Sequence, residues 1–91
     1  MQTKKIKMSR LRALVTGATR GIGRSIAKEF CNQNIDVIGT GTKKGSKLPK
    51  GCTYKQVNFL DQQSLDDFIL YINDQEIDIL VNNAGINKIN K

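Results

Sequence analysis

The chain has 91 residues, 38% of them apolar and 25% charged, with a net charge of +7. That length is one small domain, able to bury only about 60–65% of the surface its unfolded form exposes, and the apolar share excludes a disordered chain. The absence of histidine excludes a Ser/His/Asp triad and leaves Cys31 and Cys52 without partners for a metal site.

Residues 1–10 read as a basic tail carrying Lys4, Lys5, Lys7 and Arg10. The tail lacks the apolar stretch of a signal peptide, and no run along the chain approaches the ~18 apolar residues of a membrane span. Residues 11–15, Leu-Arg-Ala-Leu-Val, are short and nearly continuous in apolar character, as a buried parallel strand is. Ile22, Ile26 and Phe30 recur at helical spacing and predict a helix over 22–32. Residues 35–38 form a second, β-branched strand. From 39 to 51 four glycines, Pro49 and four lysines predict a loop. A third strand is expected over 54–59. Asp61 is a candidate N-cap for a helix with the stripe Leu65, Phe68, Ile69 and Ile72. A fourth strand over 77–81 follows.

This alternation implies parallel pairing through crossovers, with the strand order 3-2-1-4. It is the N-terminal half of a Rossmann-like, doubly wound α/β sheet. Residues 11–91 are therefore expected to be a partial dinucleotide-binding domain that stops after its fourth strand. Cys31 and Cys52 fit a reducing compartment, the cytoplasm, although the sequence does not exclude a bridge between them.

The chemistry concentrates where the first strand meets the first helix, at Thr16-Gly17-Ala18-Thr19-Arg20-Gly21-Ile22-Gly23. Such a turn presents free backbone N–H groups and the positive end of a helix dipole, which suit a phosphate. Its glycines permit a sharp turn and a close ligand approach. The spacing is G-x-x-x-G-x-G, and its context is the required one, with an apolar strand before it and an amphipathic helix after it.

Together with Asn82-Asn83-Ala84-Gly85 after the fourth strand, this turn resembles the short-chain dehydrogenase/reductase family. Residues 37–42, 57–61 and 78–86 resemble most closely the subgroup of 3-oxoacyl-[acyl-carrier-protein] reductases. The resemblance implies that Gly17, Ala18, Thr19, Arg20, Gly21, Ile22 and Gly23 wrap the pyrophosphate of a nicotinamide dinucleotide. It places Thr42 near the adenosine ribose or its phosphate, and Asn58 and Phe59 beside the adenine. Asn83, Ala84 and Gly85 are implied to line the adenosine side and to brace the fourth strand against the first.

The choice of dinucleotide follows from charge. An NAD site uses a carboxylate at the end of the second strand, about 20 residues past the glycines, to hold the ribose 2′-OH. Counting selects Asp36, but Asp36 opens that strand and lies at its wrong end. The correct end carries Gly39, Thr40, Gly41, Thr42, Lys43 and Lys44, with hydroxyls, cations and no acid. NADPH is thus favoured over NADH. Arg20 reads either as a guanidinium contact to that phosphate or as a solvent-facing residue at the helix entry.

Asp61 is assigned as the cap of the second helix and Asp66 and Asp67 to its first two turns, where negative charge suits the dipole, and none of them to acid–base work. Tyr54 and Tyr71 lack a lysine four residues on, so neither matches the Tyr-x-x-x-Lys of the family. No catalytic residue is assigned within the 91 residues. The expected function is the cofactor-binding N-terminal segment of an NADPH-dependent oxidoreductase that reduces a carbonyl, a 3-oxoacyl thioester by the subgroup resemblance. The segment is expected to be inactive alone, and the whole enzyme to be a homo-oligomer. A second reading is a free-standing nucleotide-binding or interaction module. Nucleic-acid binding is disfavoured, because the basic residues are scattered and lack interleaved aromatics.

Overall fold

The computed structural model describes residues 10–83. Lys4, Lys5 and Lys7 of the tail, and Ala84 and Gly85 of the second motif, lie outside them. In chain order the elements are β1 (Arg12–Thr16), α1 (Gly21–Asn32), β2 (Asp36–Gly41), β3 (Cys52–Gln56), α2 (Gln62–Asn73) and β4 (Ile79–Asn82). All strand pairs are parallel, and the order is β3-β2-β1-β4. This is the expected half of a doubly wound sheet.

The alternation of side chains along β1 and β2 sorts the core onto two faces. Leu14 and Ile38 join Val57 and Phe68 on one face, with Tyr71, Ile72 and Ile77 packed around them. Val15 and Val37 join Ala18 and Ala27 on the other, where Ile26, Phe30 and Leu48 close the edge. One face thus belongs to α2 and the other to α1. The central strands are apolar on both sides because helices cover both.

Three boundaries differ from expectation. β2 continues through Gly39, Thr40 and Gly41, all buried, where the sequence predicts a loop. These glycines are packing residues, because a Cβ at Gly39 would stand 2.7 Å from Leu48 Cδ1 and 2.8 Å from Ala18 Cβ. At Gly41 it would stand 2.5 Å from Thr19 Cγ2. β3 starts and ends earlier than residues 54–59. Val57 N still donates to Gly41 O at 2.8 Å, but Asn58 then bends the chain, its Oδ1 accepting from Leu60 N at 3.0 Å. β4 is displaced toward the C-terminus of residues 77–81, and Ile77 packs at the core margin instead.

The helix stripes are also narrower than expected. Ile26 and Phe30 pack inward, but Ile22 is 72% exposed. In α2, Phe68 is buried and Ile72 packs beside it, while Ile69 is exposed. β4 forms one edge of the sheet, and its Leu80 is 64% exposed.

Asp61 is the N-cap of α2, its carboxylate accepting from Ser64 N at 3.0 Å. Replacing it with alanine removes that acceptor and is expected to cost about 1 kcal/mol of stability. A denaturant midpoint equal to that of the native chain would show the cap to be idle. Asp66 and Asp67 lie in the same helix and accept from Gln62 and Gln63, four residues earlier. Each is engaged by an amide along its own helix.

Candidate functional site

At the N-terminal ends of the strands, Arg12 joins three segments. Its Nε donates to Asp36 Oδ2 at 2.9 Å, its Nη1 to Gln75 Oε1 at 2.9 Å, and its backbone N to Asp78 Oδ2 at 2.8 Å. Asp36 is therefore spent on an ion pair at the end of the sheet opposite the glycine turn. That agrees with its rejection as a ribose-binding acid.

The glycine turn leaves β1 at the other end and leans over β2. Gly17 turns the chain with φ +68° and Gly21 with φ +61°, a region that glycine enters without strain. Gly17 N donates to Thr40 Oγ1 at 3.1 Å, and Ala18 N to Thr40 O at 2.8 Å. Thr40 holds the turn from both its side chain and its backbone, which explains why it is buried in a strand. Ala18 fills the space that the missing side chain of Gly39 leaves.

Helix α1 starts without a cap of its own. Arg20 stands at the N-cap and makes no side-chain cap bond, and no acidic residue is in the first turn. The start of α2 differs, since the Asp61 carboxylate caps it while the positive end of α1 has no side-chain acceptor at its N-cap. Gly23 lies against the carbonyl of Gly17. A Cβ there would stand 2.0 Å from Gly17 O and 2.7 Å from Asn83 Nδ2.

Asn83, directly after β4, fixes this packing. Its Nδ2 donates to Gly17 O at 3.1 Å, and its backbone N donates to Thr16 Oγ1 at 2.9 Å. The expected bracing of the fourth strand against the first is thus present at Asn83. Ala84 and Gly85 lie outside the described residues.

Beside the turn, Thr19, Arg20, Thr42, Lys43 and Ser46 line a cleft of about 220 Å³. Two of the five are cations and none is a carboxylate. The loop forming its outer wall is held through its backbone carbonyls, by neighbouring elements and by its own Ser46. Gln56 Nε2 donates to Thr42 O at 3.1 Å, Ser46 Oγ to Lys43 O at 3.0 Å, and Arg24 Nη1 to Lys47 O at 2.9 Å. The Tyr54 hydroxyl also donates to Lys43 O. These bonds use the loop's carbonyls and leave the Thr42 hydroxyl and the Lys43 ammonium uncommitted to the loop's own anchoring.

Asn58 and Phe59 follow β3 at the same end of the sheet. Asn58 N donates to Ser64 Oγ at 2.9 Å, and the Phe59 ring meets Phe68 edge to face at 5.8 Å. The order of the strands sets out the sequence-derived residues along one edge: Asn58 and Phe59, then Thr42, then residues 17–23, then Asn83. Ligands of open α/β sheets bind in that crevice. Sequence reasoning misses Ser46 and the anchors Tyr54 and Gln56. It also counts the Thr40 hydroxyl among groups open to a 2′-phosphate, whereas Thr40 is buried and that hydroxyl accepts from Gly17 N. Only Thr40 carries a signal, as a hydroxyl residue set between two glycines.

Among the described residues, no helix is long and apolar enough to cross a membrane, and no cluster suited to a metal is present. The family model described as short chain dehydrogenase matches residues 11–91. The chain is 43% identical over 86 residues to the 3-oxoacyl-[acyl-carrier-protein] reductase of Vibrio harveyi, covering 86% of this chain and 35% of that protein. The same reductase of Haemophilus influenzae is 43% identical over 89 residues, covering 86% of this chain and 36% of that protein. The chain therefore spans about a third of the length of the curated relatives it matches.

Solved structures agree. A short-chain dehydrogenase from Streptomyces avermitilis superposes with a TM-score of 0.74 at 29% identity, covering 87% of this chain and 32% of that one. A structure described as a short-chain dehydrogenase/reductase from Burkholderia multivorans with bound NADP superposes with a TM-score of 0.72 at 25% identity. The match covers 84% of this chain and 37% of that one.

Proposed function

The chain belongs to the short-chain dehydrogenase family, and we propose that it is the cofactor-holding N-terminal part of an NADPH-dependent carbonyl reductase. The observation that carries this reading is the cation-lined, acid-free cleft beside a helix start that lacks its own cap. In it, Thr19, Gly21, Ile22 and Gly23 hold the pyrophosphate through backbone N–H groups and the α1 dipole. Gly17 and Ala18, whose N–H groups are engaged by Thr40, shape the turn around it. Arg20, Thr42 and Lys43 take the 2′-phosphate, with Ser46 at the margin. Asn58 and Phe59 flank the adenine, and Asn83, Ala84 and Gly85 complete the adenosine side.

The dinucleotide supplies the hydride when bound, and this segment supplies its placement. The two tyrosines within it have other duties. Tyr54 anchors the Lys43 carbonyl, and Tyr71 stacks on Phe68 under the Lys55 ammonium. The reacting carbonyl is proposed to be that of a 3-oxoacyl thioester, a reading supported by the names of the reductases that the chain resembles. The complete enzyme is proposed to be a cytoplasmic homo-oligomer.

Titrating the full chain with NADPH and with NADH, by quenching of the reduced nicotinamide, tests the reading. NADPH is expected to bind about 10- to 100-fold more tightly, as one or two charge-assisted bonds to the 2′-phosphate supply. The advantage is expected to shrink as salt rises. Equal affinities would overturn the NADPH assignment, and no saturation by either cofactor at millimolar concentration would overturn the site.

A further inference from the structure

On the α1 face of the sheet, away from the cofactor cleft, the two cysteines meet. Cys31 stands in the last turn of α1 and Cys52 is the first residue of β3, and their Sγ atoms are 2.8 Å apart. A disulfide needs about 2.05 Å between sulfurs, so closure asks for less than about 1 Å of approach, which rotation of the side chains supplies. Both residues are half-buried, and Cys52 Sγ also lies 4.0 Å from Ala27 O.

The surroundings add a second, independent observation. Cys31 lines a cleft of about 250 Å³ together with Arg24, Lys28, Asn32, Pro49 and Lys50. Three of those side chains are cations and none is an acid. Such a mouth concentrates an anionic reagent at the Cys31 sulfur. Cys52 does not line it.

We propose that Cys31 and Cys52 are a dithiol site that closes to an intramolecular disulfide by exchange with an anionic low-molecular-weight disulfide of the glutathione type. The Cys31 thiolate attacks one sulfur of the oxidised reagent, forming a mixed disulfide and expelling one thiolate, which takes up the proton that Cys31 gave up. The Cys52 thiol then loses its proton and attacks Cys31 Sγ. The Cys31–Cys52 bond forms, and the second reagent thiolate leaves with a proton. Two protein thiols are oxidised, and one reagent disulfide is reduced to two thiols. Burial and the neighbouring Cys31 push the Cys52 thiol up to about 12, so Cys31 is the entry point and Cys52 the resolving group. The product staples α1 to β3 across β2 and encloses the whole loop that bears Thr42, Lys43 and Ser46.

Incubating the full chain with oxidised glutathione, followed by intact-mass measurement and peptide mapping, decides the matter. The expected product has lost two hydrogens, carries no glutathione, and yields a Cys31–Cys52 cross-linked peptide. Cys52→Ser is expected to stop at one glutathionyl group on Cys31. The double variant Lys28→Glu/Lys50→Glu is expected to react about tenfold more slowly. A wild-type mixed disulfide that persists, or thiols that both survive until urea is added, would overturn the proposal, and these two outcomes need no variant to fold. Because the readout is mass and not cofactor affinity, its failure is distinguishable from failure of the NADPH reading.

Discussion

Gly23→Ala is expected to remove at least about 3 kcal/mol of stability from the full chain and to abolish saturable cofactor binding. The reason is the identity of the atom in the way. A Cβ at position 23 would lie 2.0 Å from Gly17 O and 2.9 Å from Gly17 C. Both belong to backbone, so no rotamer change clears them. Gly17 cannot retreat freely, since its N–H is held by Thr40 and its carbonyl by Asn83. Any relief must break one of those bonds or lift α1 from the sheet, and both move the N–H groups that would face the pyrophosphate. With total stabilities of about 5–15 kcal/mol, such a loss leaves a large unfolded fraction. Gly45→Ala is the control. Gly45 has φ +75°, and a methyl group there would meet nothing within 4 Å, so only backbone strain of about 1 kcal/mol is expected. Urea denaturation followed by circular dichroism compares the two, and equal midpoints would defeat the packing account.

Thr42→Asp is expected to reverse the cofactor preference, lowering NADPH affinity about 100-fold while NADH binding is retained or improves. The substitution puts a carboxylate into a cleft whose charged lining residues are Arg20 and Lys43. A 2′-phosphate bearing about −1.5 to −2 charges would then lose its cations to that carboxylate and be repelled by it. A ribose 2′-OH would instead find an acceptor, as in NAD sites. The fold has little stake in the change, because the hydrogen bond anchoring this residue uses its backbone carbonyl, which accepts from Gln56. Affinities for both cofactors, measured side by side, discriminate. Equal losses for the two would mean that the turn was damaged, and an unchanged NADPH affinity would remove Thr42 from the phosphate site.

The features legible in the sequence are those with a local cause. Apolar runs and helical spacing locate the elements and the order of the strands. Asp61 announces its helix because capping is settled within a few residues. Asp36 is excluded by counting positions along a strand, and its ion pair with Arg12 agrees. The misreadings at Gly39, Gly41 and Ser46 have a partner distant in the chain. Gly39 and Gly41 look like loop residues, yet they are strand residues whose missing side chains admit Ala18, Thr19 and Leu48. Ile22 falls on the helical stripe, but it lies in the first turn of α1 and is exposed. Ser46 enters the cleft only because Tyr54, Gln56 and Arg24 fold the intervening loop back over β2. No periodicity encodes such a return.

The hold of Asn83 on the glycine turn has a consequence in time. Gly17 meets Thr40 across 23 residues, but Asn83 meets Thr16 and Gly17 across 67 and 66. Closing the longer loop carries the larger entropy, and distant pairings are the slow ones. During synthesis at about 5–20 residues per second, β2 is available to steady the turn seconds before Asn83 is made. The first motif to leave the ribosome therefore waits in a half-set state until Asn83 completes it.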